Sequence, residues 1–388
     1  MATRQTTICC SAVALATVAA LSLAADRPEG LPLFPLETVW TLPLNNPATA
    51  PAAYDGNRAY YPIADDRTVA YDLELGTRLW IAPVGTRMEP AAGGGLVFLA
   101  RPGSMAALSG ETGSILWELP LPGALSVPPV WDTGWLVLAT ASGRILALRA
   151  SDGQAIWQRD LGSPAHAPPA LSGHRVFVPT EDGRLVALSI DDGHPLWDRR
   201  LGGAASDILA LDDRLYVGSK DNFFYCLETK DGAEDWRWRT GADVIGLPVV
   251  DERAVYFVSL DNVLRALSRK SGVQYWKATL PLRPTSGPIR AGDALLVTGL
   301  AESLLGYKMK DGKSAGNVAL AGELAGHPYV LDRPGAAGPL ILLPTRDIAS
   351  GETVTALTHS LEPPIMPLAT LPDVETVTMP SAPSRPSS

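Results

Sequence analysis

The residues able to carry chemistry are few and dispersed. Five histidines, His166, His174, His194, His327 and His359, would be the natural metal ligands, but they fall on turns and loops with no ligand spacing. Adjacent acids stand at Asp65-Asp66, Asp191-Asp192 and Asp212-Asp213. A catalytic carboxylate pair must converge across space, whereas these fall at the tips between apolar runs and read as solvated turns. Gly93-Gly94-Gly95 reads as a hairpin turn, without the following helix that a phosphate cradle requires. No GxSxG, HExxH or P-loop pattern occurs. Cys9 and Cys10 are adjacent, and Cys226 is a lone thiol that reads as part of the core. The sequence designates no catalytic, metal-ligating or cofactor-binding residue.

What must position any site is a chain of 388 residues, 46% hydrophobic and 19% charged, with 36 Gly and 34 Pro. Low charge with abundant glycine and proline suits many short strands joined by turns. A net charge of -9 gives no electrostatic reason to bind nucleic acid or an anionic membrane. Composition also excludes a collagen, a coiled coil and a polytopic membrane protein.

The organising signal is a repeat. Trp40, Trp80, Trp117, Trp157, Trp197, Trp236 and Trp276 are spaced by 40, 37, 40, 40, 39 and 40 residues. Glycine stands four residues before six of them, at Gly76, Gly113, Gly153, Gly193, Gly232 and Gly272; Gly312 continues the series, but Gly316 takes the place of tryptophan. A small residue precedes each glycine by six, as in Ala70, Ala107, Ala147, Ala187, Cys226, Ala266 and Gly306. A period near forty with internal strand alternation marks stacked units. The fourth unit divides into strands over 167–171, 175–179, 184–190 and 195–201, separated by hairpin signals. Proline recurs at Pro51, Pro90, Pro129, Pro169, Pro248, Pro288 and Pro328, missing only near Ile208. It opens first strands, which therefore have a free edge, as they do around a propeller channel.

The ends fix the count. Seven complete units run from Pro51 to about Leu320; an eighth has three strands, and residues 37–44, with Trp40, have one. Joined, they give an all-β, eight-bladed propeller of four-stranded antiparallel blades spanning 37–360, closed by its N-terminal strand. Before it, residues 1–25 read as a secretory signal peptide, with an uncleaved anchor as the alternative, and 26–36 as a linker. After it, 361–388 carries seven prolines in 28 residues and reads as a disordered Pro/Ser/Thr-rich tail.

The ten residues Leu188-Ser189-Ile190-Asp191-Asp192-Gly193-His194-Pro195-Leu196-Trp197 and their counterparts in the other units resemble the repeat of PQQ-like (quinoprotein-type) β-propellers. That family includes the outer-membrane assembly factor BamB and the quinoprotein alcohol dehydrogenases. The resemblance implies an exported, non-enzymatic scaffold, periplasmic or at the cell surface, that binds protein partners in the envelope. The alternatives are a quinoprotein oxidoreductase or a propeller binding a small ligand or glycan. The dehydrogenases hold their quinone between an adjacent-cysteine ring and a tryptophan, with calcium on Glu and Asn beside a catalytic Asp; here the adjacent cysteines fall in the signal segment. Two aromatics stand where other units are polar: Phe223, in the place of Arg144 and Arg184, and Trp135, in the place of Arg175 and Arg214. Both are candidate partner contacts, on opposite rims of the ring.

Overall fold

The structure, a computed structural model, describes residues 32–360 except 45, 334, 335, 337 and 348–350. The signal segment, Cys9-Cys10 and the C-terminal tail lie outside the described residues. Among the described residues there is no helix, and so none long and apolar enough to cross a membrane. Eight antiparallel sheets form a ring. Blade 1 consists of Ala53–Asp55, Arg58–Ile63, Arg67–Asp72 and Thr77–Ala82, and blades 2 to 7 repeat this meander. In blade 8, the strands Tyr329–Leu331, Leu340–Asp347 and Gly351–His359 are completed by the N-terminal strand Leu36–Leu44, and the short strand Glu323–Leu324 is added to the sheet. Trp40 pairs with Ala356, as ring closure requires.

The second and third strands are buried on both faces, because neighbouring sheets cover them; the outer fourth strands are half exposed. One contact recurs between blades. The indole of each repeat tryptophan lies on the glycine turn of the next blade: Trp40 on Gly76, Trp80 on Gly113, Trp117 on Gly153, and onward to Trp276 on Gly312. A Cβ on Gly193 would lie 2.5 Å from Trp157, and its φ of 69° is in the left-handed region, so glycine answers both sterics and backbone. Six of the indoles also donate Nε1–H to the carbonyl three residues before that glycine, at 2.5 to 3.2 Å. The small residues stand directly across the strand pair from their tryptophans, as Ala187 does from Trp197 and Cys226 from Trp236.

Gly316, which breaks the tryptophan series, pairs with Gly306, and the ring of Phe34 occupies the space above both. A Cβ would stand 2.2 Å from that ring at Gly306 and 2.5 Å at Gly316. Within residues 32–36, the end of the stretch read from sequence as a linker, Leu33 and Phe34 are thus packed while Pro32 and Pro35 are exposed. Leu33 is buried; its N–H donates to Asp293 at 3.2 Å, and its carbonyl lies 3.3 Å from Nδ1 of buried His359. The prolines precede the inner strands except Pro248, which lies inside Val244–Val250. There the ladder register shifts between Ile245 and Val249, so no amide is required of it.

Phe34 fills the one blade junction that lacks a tryptophan. Phe34→Ala should therefore cost about 2–3 kcal/mol and lower the melting temperature by roughly 5 °C. Thermal unfolding by circular dichroism measures it; parental melting would show that the ring is idle.

Candidate functional site

The residue immediately before each inner-strand proline stands where the chain enters its blade. Around the ring these are Ala50, Glu89, Pro128, Pro168, Leu247, Gly287 and His327, with Asp207 in the unit without a proline. Most are small or apolar, but Glu89, Asp207 and His327, from blades 2, 5 and 8, are titratable. They act on one another across the channel: Asp207 raises the Glu89 carboxyl, and His327 opposes the burial of both acids. Burial is the main influence on each, and it holds both carboxyls above their ordinary range. His166 of blade 4 also acts on Asp207. Glu89 accepts no hydrogen bond from any described residue, and Asp207 has only its own backbone N–H.

Two concavities meet at this mouth, on the rim that carries the turns between second and third strands. Glu89 and His327 line a cavity of about 170 Å³ between blades 1 and 8, together with Tyr54, Tyr61, Tyr329 and Glu352. Tyr54 and Tyr329 stack at 4.0 Å with planes 1° apart, and the Tyr54 and Tyr61 hydroxyls are 3.4 Å apart. Burial pushes the Tyr54 phenol up to about 12, with Tyr329 and Glu89 adding to the rise and the Tyr61 hydrogen bond opposing it. Beside it, a cleft of about 960 Å³ runs over the links and turns of blades 1 to 3. Arg87 and Met88 line this cleft, so residues 87–89 join it to the channel mouth. Its other walls are Leu121, Leu125, Pro102 and Arg101; Arg101 is paired with Asp66 and Glu118, both at 3.3 Å. Arg87 is exposed and makes no ion pair with a described residue.

The residues singled out from sequence fall elsewhere. Phe223 opens the third strand of blade 5, with the Arg237 guanidinium 5.0 Å over its ring and Tyr225 5.9 Å away. It is half-buried against the core beneath blades 4 and 5. Trp135 opens the second strand of blade 3, half-buried and paired with Asp132 and Arg149. The two strand starts are at opposite ends of their sheets, so the residues share no patch, and neither lines the cleft. The paired acids do sit on turns: Asp65, Asp66 and Asp212 adopt positive φ, and Asp192 accepts the His194 N–H at 3.0 Å. Gly94 and Gly95 turn a hairpin, also with positive φ. Of the histidines, His174 is exposed, 3.3 Å from Asp191.

Glu89, Asp207 and His327 are not adjacent to one another in sequence, so no short-range pairing marks them. Their signal is a shared phase, since Glu89 and His327 each directly precede a repeat proline, and Asp207 holds the equivalent place.

The calcium ion of a quinoprotein does not fit the described residues. No three His, Cys, Asp or Glu side chains among the described residues are placed to hold a metal ion. Cys226 is fully buried opposite Trp236, and burial pushes its thiol up to about 12. It should react with a thiol reagent such as Ellman's only after unfolding, and rapid labelling of the folded chain would place it at an open site.

Together the fold and site define an eight-bladed PQQ-repeat propeller with an open, rim-facing mouth. The chain belongs to the family described as outer membrane protein assembly factor BamB, which it matches at residues 37–127, 122–210 and 203–327. No curated protein matches it in sequence. BamB from Moraxella catarrhalis is a similar structure, with TM-score 0.66 and 20% identity over 85% of this chain and 99% of that one. The quinohemoprotein alcohol dehydrogenase of Comamonas testosteroni is similar too, with TM-score 0.66 and 12% identity over 85% of this chain and 78% of that one. So is the computationally designed Ika8 protein, with TM-score 0.67 and 13% identity over 84% and 100%. At these identities the likeness is one of fold.

The channel acids carry a stability signature. A carboxyl raised in the folded state binds its proton more tightly there than in the unfolded chain, so its contribution to stability falls as pH rises through the raised range. Glu89→Gln should therefore leave the melting temperature at about pH 7 unchanged or raise it by roughly 1–3 °C. The gap from the parent should narrow at about pH 5. A variant less stable than the parent at the higher pH would mean that the Glu89 charge is stabilising.

Proposed function

We propose that this chain is an exported, non-enzymatic propeller that holds protein partners in the cell envelope. The observation that carries this reading is the cleft on the rim. It is open, runs over blades 1 and 2 to the link before blade 3, and mixes apolar walls (Met88, Leu121, Leu125) with Arg87, which makes no ion pair with a described residue. Such a surface suits an extended segment of another protein, since a small-molecule site encloses most of its ligand. Membership of a family described as an outer membrane protein assembly factor supports the same reading. So does the apolar N-terminal run, which reads as an export signal. Phe223 is a second proposed contact, an aromatic already braced by Arg237 and so presented at little entropic cost, and Trp135 a third on the other rim.

Site-specific crosslinking from the cleft in intact cells, followed by mass spectrometry, tests this. Arg87→Glu with Met88→Glu should reduce the crosslinked partner by about tenfold or more, while leaving the melting temperature close to the parent's. Phe223→Arg should give a smaller loss, and capture unaltered by it removes Phe223 from the interface. Undiminished capture by the cleft variant would sink the reading. Dye-linked alcohol oxidation after loading with quinone and calcium is expected to be absent, and turnover would favour the oxidoreductase alternative.

A further inference from the structure

The cavity between blades 1 and 8 differs in kind from the cleft beside it. Two carboxylates line it, and they are in opposite situations. Glu352 is saturated: one oxygen accepts the Ala48 N–H at 2.6 Å, and the other takes the Arg346 Nε at 2.6 Å and a second guanidinium nitrogen. Glu89 has no hydrogen-bond partner among the described residues, yet it is half-buried among apolar and aromatic groups. A carboxylate removed from water without a partner is costly. Among the described residues that line the cavity, the one basic side chain is that of His327, which is exposed.

The walls are aromatic. Tyr54 and Tyr329 form a flat stack, and Tyr61 meets Tyr54 edge-on, with centroids 6.5 Å apart. The electron-rich faces of phenol rings attract cations, more strongly where water is excluded. Ala50, Pro51, Ala52 and Pro328 supply apolar surface for a short aliphatic stem. The volume of about 170 Å³ is below the roughly 300 Å³ at which enclosed drug-sized ligands begin, and it suits a head group with a few carbons.

We propose that this cavity binds an organic cation, an alkylammonium or alkylguanidinium head that pairs with the Glu89 carboxylate against the Tyr54, Tyr61 and Tyr329 rings. Such a head supplies the donor Glu89 lacks, and it leaves the Glu352–Arg346 pair intact. Asp207, across the channel, adds to the field that draws a positive charge toward the mouth. The site stands apart from the partner-binding reading, because a free amine and a lysine or arginine side chain present the same chemistry.

The full chain labelled with 3-fluorotyrosine and followed by fluorine NMR reads binding at the three rings. Titration with n-butylammonium and n-butylguanidinium should give saturable shifts, while 1-butanol, neutral and of similar size, should bind at least about tenfold more weakly. Glu89→Gln should weaken the ammonium by about tenfold without changing the response to the alcohol. Glu302→Gln, a carboxylate elsewhere on the rim, should leave both unchanged. An acetylated, amidated Gly-Lys-Gly peptide tighter than butylammonium would identify a chain as the carrier; the reverse order would identify a free amine. Equal binding of amine and alcohol, amine binding unaffected by Glu89→Gln, or no saturable shift at any of the three tyrosines would each overturn the proposal. A melting temperature for Glu89→Gln at or above the parent's separates lost binding from lost folding.

Discussion

The molecule depends on a flat indole resting on a glycine. A four-stranded sheet of short strands cannot cover its own faces, and here the cover comes from the neighbouring blade. Each tryptophan presents its face to a turn that must lack a Cβ, and for six of the seven the same turn also offers a carbonyl to the indole N–H. One side chain therefore fixes both the distance between blades and their rotational register. Because the contact is made between successive blades, an error at one junction would propagate around the ring. Closure then demands that the last junction be made by the chain's two ends. Trp40 comes from the N-terminal strand and Gly76 from blade 1, so the contact that begins the ring also closes it.

The seam shows how far this rule can bend. Blade 8 has no continuous turn between its third and fourth strands, because one ends at His359 and the other begins at Leu36. A tryptophan at position 316 would have no glycine turn to rest on. Glycine at both 306 and 316 instead opens a recess, and Phe34 enters it from the segment before the closing strand. Aromatic volume is conserved at the junction while its donor moves from one blade to another. The Trp40 indole nitrogen, buried and without a partner among the described residues, is a second departure at the same closing blade. The first follows from joining two chain ends where other blades have a turn.

Blade number, closure and the role of glycine were legible in the sequence because they rest on residues that recur, and recurrence reports a shared geometric demand. The replacement of tryptophan by Phe34 was not legible, since Phe34 and Gly316 stand at opposite ends of the ring sequence and nothing local links them. Pro248 shows a limit of another kind. Its phase marked the start of a strand, but a bulge carried the ladder past it, as register is set by pairing with the neighbour and not by one residue's preference. For the site, single exposed aromatics were a weak guide. Phe223 and Trp135 depart from the repeat, yet each is partly occupied by its own blade. The acids of the channel depart from the repeat as well, at the one phase where all eight blades converge.

That difference of phase is what gives a repeat protein a site. A substitution on a rim changes one loop, and its neighbours in the ring stay remote. A substitution directly before an inner strand can act on residues of distant blades, as Glu89 of blade 2 does with Asp207 of blade 5 and His327 of blade 8. Glu89, Asp207 and His327 are separated by more than a hundred residues each, yet their charges are coupled through the channel. The remaining places hold proline, alanine, glycine and leucine, which have no charge to satisfy Glu89 and Asp207. The ring thus gathers two carboxyls and a histidine at its mouth, bounded on one side by stacked tyrosines and on the other by a cleft whose Arg87 makes no ion pair with a described residue. A segment lying in that cleft would meet a positive charge first and a negative one next, which sets a direction along the rim for whatever binds there.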